Sequence, residues 1–198
     1  ASNLDRITKS NNIKKLTIGS STSSFIILNH QFLKDEQKVI FKFNNKKYSF
    51  STKLIGRVQI KNLLMAILAA LNSKISLEKI LKIAKKIKPV NGRLEKIGRL
   101  NNNGIVILDY AHTPDALETC IKDIKEQFKL RKINLVFGCG GDRDKPKRKI
   151  MGRIANKYCN KIYLTDDNPR NEDPKIIRRD VKSNILKNKL LELSLIHI

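Results

Sequence analysis

Three short polar segments carry the side chains best suited to binding and chemistry. They are DYAHTP at residues 109–114, GCGGDRDK at residues 138–145 and DDNPR at residues 166–170. An arginine can hold a carboxylate through two parallel hydrogen bonds, and carboxylate or amide oxygens accept from ammonium groups. Turn formation explains the Asp, Asn, Gly and Pro of any one segment, but it explains all three less well once His112, Arg143 and Arg170 are included. Together the segments indicate a polar ligand site.

The chain lacks the usual short signatures of nucleotide and metal sites. Gly138, Gly140 and Gly141 lack the third glycine of a dinucleotide fingerprint, and no G-x-x-x-x-G-K-[ST] stretch occurs. The three cysteines are odd in number and about twenty residues apart, unlike a disulfide framework or a zinc site. We therefore expect free thiols and no metal ligands in this chain.

Each polar segment follows a short apolar run, and helical patterns lie between them. Strands are predicted at 104–108, 133–137 and 162–165. Helices are predicted from Thr113-Pro114, around 149–158, and from Asp173-Pro174 to about Asn188. Such repeats predict a parallel sheet with helices on both faces. Ligands bind such sheets beyond the carboxyl ends of the strands, which is where the three segments lie.

The first ninety residues have a different pattern, with short β-prone runs followed by two helices. The runs are 13–18, 24–28, 39–43 and 48–50, with a hairpin turn at Asn44-Asn45. The helices are predicted at 58–71 and from Ser76 to Pro89. Residues 90–92 are typical of a hinge, so we expect two α/β domains, 1–90 and 91–198.

Charge and hydropathy limit the partners. The net charge is +23, but the lysines are spread along the chain, Trp is absent and aromatic residues make up only 6%. Stacking platforms for nucleic acid are therefore scarce, and we expect anionic substrates and no specific nucleic acid partner. No apolar run approaches the roughly 20 residues of a membrane span. We expect a cytoplasmic monomer without membrane insertion.

The motifs in their order resemble a known family. NGRLE at 91–95, DYAHTPDAL at 109–117, FGCGGDRDKPKR at 137–148 and TDDNPR at 165–170 are similar to the C-terminal half of the Mur ligases, in particular the members that add diaminopimelate. The resemblance implies a Rossmann-like C-terminal domain at 91–198, truncated, preceded by the end of a P-loop ATPase domain. It also implies that the P-loop and the Mg²⁺-holding lysine lie upstream of this chain. The tail at 193–198 matches nothing in the family.

The same resemblance implies ATP and Mg²⁺ as cofactors and a reaction through an acyl phosphate. Asn62 corresponds to the residue that reads the adenine, Arg93 to an arginine near the phosphates, and Asp109 to the acceptor of a ribose hydroxyl. Gln59 stands where many members have Asn, which puts one adenine contact in question. His112 lies near Asp109, and both a catalytic and a structural role stay open for it.

The implied substrates are UDP-N-acetylmuramoyl-L-alanyl-D-glutamate and meso-diaminopimelate. Arg143 and Arg170 are expected to bind carboxylates of diaminopimelate, and the Asp167-Asn168-Pro169 stretch to accept from its ammonium group. Lysine lacks the distal carboxylate and would leave a buried arginine unpaired, at a cost on the order of 2–5 kcal/mol. The alternatives are another ligase of the superfamily, such as a folylpolyglutamate synthase, and a non-catalytic basic binding module.

Overall fold

The chain folds as two units, each with its own hydrophobic core. The computed structural model describes residues 16–19, 21–33 and 35–193. The first unit comprises residues 1–90 and the second residues 91–198. Within the described ranges, no helix is both long enough and apolar enough to cross a membrane.

A four-stranded sheet forms one layer of the first unit. Its strands, in sequence and in space, are β1 (Ile18–Gly19), β2 (Phe25–Phe32), β3 (Gln37–Phe43) and β4 (Lys46–Thr52). β1 runs parallel to β2, and the other pairs are antiparallel. The predicted turn at Asn44-Asn45 is confirmed, since both residues have the positive φ, 46° and 63°, of a tight hairpin. Of the run predicted at 13–18, residues 13–15 lie outside the described part of the chain.

A second layer consists of two helices, α1 (Arg57–Asn72) and α2 (Leu77–Ala84). α1 turns Ile60, Leu64 and Ile67 inward, three or four residues apart, as an amphipathic helix requires. These side chains share one core cluster with the aromatic residues of β2, β3 and β4. The helix predicted at 58–71 is confirmed.

α2 is shorter than the sequence predicted. Ser76 precedes it as expected, but the helix ends at Ala84 and does not continue to Pro89. The Lys86 N–H donates to the Ile83 carbonyl at 2.8 Å, a tight three-residue turn that closes the helix. The position before a proline disfavours helical backbone, so the chain leaves the helix before it. Ile87, expected on the buried face, is 39% exposed.

The second unit alternates strands and helices. Its elements are β5 (Glu95–Arg99), β6 (Ile105–Leu108), α3 (Pro114–Gln127), β7 (Asn134–Phe137), α4 (Pro146–Tyr158), β8 (Lys161–Thr165), α5 (Pro174–Lys182), a 3₁₀ turn (Lys187–Lys189) and β9 (Leu190–Leu193). β7, β8 and β9 form a parallel sheet with β8 in the centre, and β5 and β6 form a separate antiparallel pair. The predicted α/β class with a parallel sheet is confirmed.

The position of β6 differs from the prediction. The sequence placed the run at 104–108 in the parallel sheet, whereas β6 pairs antiparallel with β5. A turn reverses the chain between them, with Asn103 at φ 63° and the Leu100 N–H donating to the Gly104 carbonyl at 2.8 Å. β5 reads EKIGR, with one large apolar side chain and a register shift between Lys96 and Gly98. Without alternation, its sequence gives no strand signal.

The last helix also ends earlier than predicted. α5 stops at Lys182, and the chain beyond it forms a 3₁₀ turn and β9 where a helix to about Asn188 was expected. The Leu186 N–H donates to Asn156 Oδ1 at 3.1 Å, and Lys189 Nζ donates to the Asn156 carbonyl at 2.8 Å. These bonds to α4 hold the connection so that β9 pairs with β8.

One face of the parallel sheet carries the helices. Ile162 and Leu164 of β8 are fully buried in the same core cluster as side chains from α3, α4 and α5. On the opposite face, Val136 is 64% exposed and pairs in register with Tyr163. In the part of the unit that the structure describes, the predicted cover of helices on both faces is therefore not found.

Candidate functional site

The loops after β7 and β8 contact each other along their backbones. We call residues 138–145 the β7 loop and residues 166–172 the β8 loop. Because β7 and β8 are parallel neighbours, both loops leave the same edge of the sheet. The Gly141 N–H donates to the Asn168 carbonyl at 2.9 Å, and Arg170 Nη1 donates to the Gly141 carbonyl at 2.7 Å. The two loops therefore present one continuous polar surface.

Glycine is required where these loops meet. A Cβ on Gly138 would lie 2.6 Å from the Thr165 carbonyl oxygen, and a Cβ on Gly141 would overlap the Pro169 carbonyl. Both neighbours are backbone atoms, which cannot rotate away as a side chain can. The glycines that do not fit a dinucleotide fingerprint thus permit close approach of backbone to backbone.

Arg170 leaves the β8 loop from a left-handed backbone conformation, φ 51°. Asn168 Oδ1 accepts from the Arg170 N–H at 3.2 Å, which helps to hold this uncommon conformation. A guanidinium has five N–H donors, and the bond from Nη1 to Gly141 aims this one at the β7 loop. The residue is exposed, so the assumption of a buried arginine was wrong. Loss of the carboxylate that Arg170 is expected to bind should then cost about 1.5–3 kcal/mol, as for other hydrogen bonds to charged groups.

Arg143 extends from the β7 loop and is also exposed. Among the residues with described positions, it forms no ion pair or hydrogen bond, so its whole fork of donors faces solvent. An arginine in this state suits a carboxylate, which it can bind with two parallel bonds.

The remaining β8 loop residues are engaged mainly in shaping the loop. Asp167 is exposed, and its Oδ1 accepts from the Asn168 N–H at 2.8 Å. Asn168 Oδ1 and the Asn168 carbonyl both accept from backbone N–H groups of the two loops. The Pro169 carbonyl accepts from the Glu172 N–H at 3.0 Å. Asp167 therefore retains the most accessible negative charge for an ammonium group.

A second polar group surrounds Asp109 at the end of β6. Asp109 Oδ2 accepts from the Leu94 N–H at 2.8 Å. This bond holds Leu94, which is only 2% exposed, in a left-handed conformation with φ 47°. The Tyr110 N–H donates to the Gly92 carbonyl at 2.8 Å. The Arg93 guanidinium lies 5.0 Å from the centre of the Tyr110 ring, a cation–π distance. This geometry brings together the two residues that the family resemblance assigned to ribose and phosphate.

His112 lies in the same loop, with its ring edge-on to Tyr110 at 5.2 Å between centroids. Its Nδ1 is 3.0 Å from the Tyr110 carbonyl, which can only accept, so Nδ1 carries a proton and Nε2 of the neutral ring is an acceptor. Lys147 Nζ donates to the His112 carbonyl at 3.0 Å, which ties this loop to the first turn of α4. Throughout the described ranges, no hydrogen bond joins the side chains of His112, Arg143 and Arg170 to one another.

Asn62 belongs to the first unit and is exposed on α1, one turn after the half-buried Gln59. Its adenine role stays a prediction.

Arg148 and Glu172 are important residues that the sequence reasoning did not select. Arg148 is fully buried on α4 and donates to both oxygens of Glu172, at 2.8 and 3.0 Å, and to Asp180 at 3.1 Å. Its Nη2 also donates to the Gly140 carbonyl at 3.3 Å. Hydrogen bonding from Arg148, then from the Asp142 N–H, lowers the pKa of Glu172 to about 2. Its position in the helix could have indicated its burial, since Arg148 lies three residues before Met151 and therefore on the same face of α4.

The cysteines are not reactive groups of this site. Burial raises the pKa of Cys139 to about 11, and the thiol lies 3.8 Å from the Met151 sulfur. Burial, with Asp109 second, raises the pKa of Cys120 to about 12. The residues with described positions include no group of three or more His, Cys, Asp or Glu side chains that could hold a metal ion.

Comparison with known proteins identifies the family. The sequence profile described as "Mur ligase, glutamate ligase domain" matches residues 92–194. The chain belongs to this family. A UDP-N-acetylmuramoyl-L-alanyl-D-glutamate–2,6-diaminopimelate ligase from Rickettsia felis is 43% identical over 188 residues, which are 94% of this chain and 34% of the relative. One from Blochmanniella floridana is 40% identical over 79% of this chain and 31% of its own length.

Solved structures of Mur ligases and their kin share the fold. The structure of a UDP-N-acetylmuramoyl-L-alanyl-D-glutamate–2,6-diaminopimelate ligase is 28% identical, with a TM-score of 0.64 over 96% of this chain and 40% of that one. The folylpolyglutamate synthase of Thermotoga maritima has a TM-score of 0.74 at 18% identity, over 97% and 44% of the two chains. The resemblance to Mur ligases is thus confirmed, and this chain spans about a third of the length of the curated relatives it matches.

Proposed function

We propose that this chain is part of an ATP-dependent Mur ligase that joins diaminopimelate to UDP-N-acetylmuramoyl-L-alanyl-D-glutamate in peptidoglycan synthesis. The relatives that carry this name match 94% of the chain at 43% identity in the case of Rickettsia felis. The folylpolyglutamate synthases share the fold at 18% identity, which does not extend to substrate. The amino acid site therefore decides between the candidates.

The observation that carries the proposal is the pair of arginines on two loops in direct contact. Arg170 is aimed across the interface of the loops by its bond to Gly141, and Arg143 stands exposed on the other loop. Diaminopimelate has a carboxylate and an ammonium group at each end. Two guanidinium groups can bind its two carboxylates, and the Asp167 carboxylate can accept from one of its two ammonium groups.

The group around Asp109 fits part of a nucleotide. Asp109 is half-buried and keeps an oxygen beyond the one bonded to Leu94, which suits a ribose hydroxyl, and the exposed Arg93 suits a phosphate. We assign Asn62 to the adenine, and the Nε2 acceptor of His112 to a polar group of the bound substrates. ATP would supply the phosphoryl group that activates the glutamyl carboxylate, and the arginines would orient the attacking amine. No residue of this chain is assigned to Mg²⁺.

The test is a substrate comparison in the complete ligase, meaning this chain joined to the rest of the protein to which it belongs. Phosphate release is measured with the UDP-linked dipeptide and diaminopimelate, lysine or glutamate as the amino acid, and separately with a folate and glutamate. We expect release that depends on diaminopimelate and is at least about tenfold weaker with lysine. Equal use of lysine, or activity only with a folate and glutamate, would contradict the proposal. The 198-residue chain alone serves as the control and should not hydrolyse ATP.

A further inference from the structure

We propose that Asp142 and Glu172 are positioning residues that set the spacing of Arg143 and Arg170 and so determine selectivity for an amino acid with a second carboxylate. This inference rests on the function proposed above. Asp142 directly precedes Arg143, and Glu172 lies two residues after Arg170, so each residue belongs to the same loop as one arginine.

The two loops exchange hydrogen bonds at these positions. The Asp142 N–H donates to Glu172 Oε1 at 2.6 Å, which binds the β7 loop to the β8 loop. In return, Asp142 Oδ2 accepts from the Asn171 N–H at 3.2 Å and from Asn171 Nδ2 at 3.1 Å. The bonds run in both directions and join the residue before Arg143 to the residue after Arg170. The backbone at neither arginine can shift along the sheet edge without breaking at least one of these bonds.

The buried guanidinium of Arg148 connects these hydrogen-bonded loops to α4. Glu172 accepts hydrogen bonds from both terminal nitrogens of Arg148. Arg148 is fully buried in α4 and also donates to the Gly140 carbonyl. Asp180 on α5 is a second partner of Arg148 but has no bond to either loop backbone in the described structure. Glu172 therefore links both loops to α4, in addition to the direct bond from Arg148 to Gly140 and the ion pair of Arg178 on α5 with Asp166 in the β8 loop.

Backbone conformation supports the same reading. Asp142 and Arg170 both adopt left-handed backbone, with φ of 48° and 51°. Aspartate tolerates this region better than most residues, whereas arginine does so at a cost. The hydrogen bonds on either side of Arg170 offset that cost and hold the guanidinium in one direction. Misplacing a binding group by about 1 Å can cost up to about a hundredfold in rate.

The experiment compares four variants of the complete ligase for kcat/KM with diaminopimelate and with lysine. Asp142→Gly removes the carboxylate and suits the left-handed backbone, whereas Asp142→Asn keeps one acceptor oxygen and should restore function. Glu172→Gln weakens the hydrogen bond that Glu172 accepts from the Asp142 N–H. Glu118→Gln is the matched control, because Glu118 also pairs with a cation and with the Tyr158 hydroxyl, but on α3.

We expect Asp142→Gly and Glu172→Gln to lower the ratio of kcat/KM for diaminopimelate over lysine by about 10- to 100-fold, chiefly through KM for diaminopimelate. KM for ATP should not change, and the Asn variant and the Glu118 control should stay within about threefold of the wild type. A ratio that is unchanged in Asp142→Gly would overturn the positioning role while the proposed function stands. A wild-type ligase that does not use diaminopimelate would overturn both. If Glu172→Gln fails to fold, the ratio measured for Asp142→Gly, at an exposed position, decides whether the positioning role holds.

Discussion

Replacing Gly138 with alanine tests the close contact on which the site is built. The new Cβ would lie 2.6 Å from the Thr165 carbonyl oxygen, 3.0 Å from the Asp167 nitrogen and 3.1 Å from the Asp166 carbonyl carbon. All three neighbours are backbone atoms, so the β8 loop must move away by roughly 0.8 Å to bring the shortest of these distances into ordinary contact. Overpacking of this kind typically costs about 1–3 kcal/mol.

Urea unfolding of the 198-residue chain, followed by circular dichroism, measures that cost. Gly98→Ala is the matched control, since a Cβ there meets nothing within 4 Å and its φ is ordinary. A glycine replaced at a compatible position usually gains about 0.4–1 kcal/mol, so the two variants should shift the midpoint in opposite directions. If Gly138→Ala unfolds at the same urea concentration as the wild type, the account of backbone packing between the loops is wrong.

Three further predictions concern the second unit. The pKa of Glu172, about 2 against a usual 4.5, means that its stabilisation is complete above about pH 4.5 and is lost as the pH falls toward 2. The difference in unfolding free energy between wild type and Glu172→Gln should therefore be constant from pH 5 to 7 and shrink by pH 3; a difference that grows in acid would refute this. Arg148→Met should destabilise by about 2–4 kcal/mol in thermal unfolding, less than for a fully buried pair because Glu172 and Asp180 remain partly exposed; a neutral effect would show that the ion pairs are dispensable. Because burial raises the pKa values of Cys120 and Cys139 to about 12 and 11, both thiols should react slowly with iodoacetamide at pH 8 and rapidly in urea; equal rates would contradict their burial.

Local signals in the sequence were sufficient for many elements. The Asn-Asn hairpin turn, the inward stripe of α1 and the Thr113 and Asp173 caps each depend on neighbouring residues, and the structure has them where the pattern placed them. That the β7 and β8 loops leave the same edge of the sheet also followed from strand–helix alternation. Such features need no knowledge of distant contacts.

Features that depend on distant partners could not be read in this way. β6 joins β5 because of a turn and a bulge, and the chain after α5 becomes β9 because Asn156 of α4 accepts from the Leu186 N–H and from the Lys189 side chain. Arginine is usually a surface residue. The free energy cost of burying Arg148 is offset only because Glu172 and Asp180, further along the chain, form ion pairs with it. The exposure of Arg170 was likewise set by tertiary contacts of its loop.

The most direct measurement of the central claim pairs Arg170→Ala with the substrate group that it is proposed to bind. Kinetics of the complete ligase would be recorded for wild type and variant, each with diaminopimelate and with lysine, which lacks the distal carboxylate. We predict that the variant raises KM for diaminopimelate and lowers its kcat/KM by about 10- to 150-fold, corresponding to about 1.5–3 kcal/mol, while kcat/KM for lysine stays the same. An equal loss with both amino acids, or no loss with diaminopimelate, would contradict a carboxylate-binding role for Arg170.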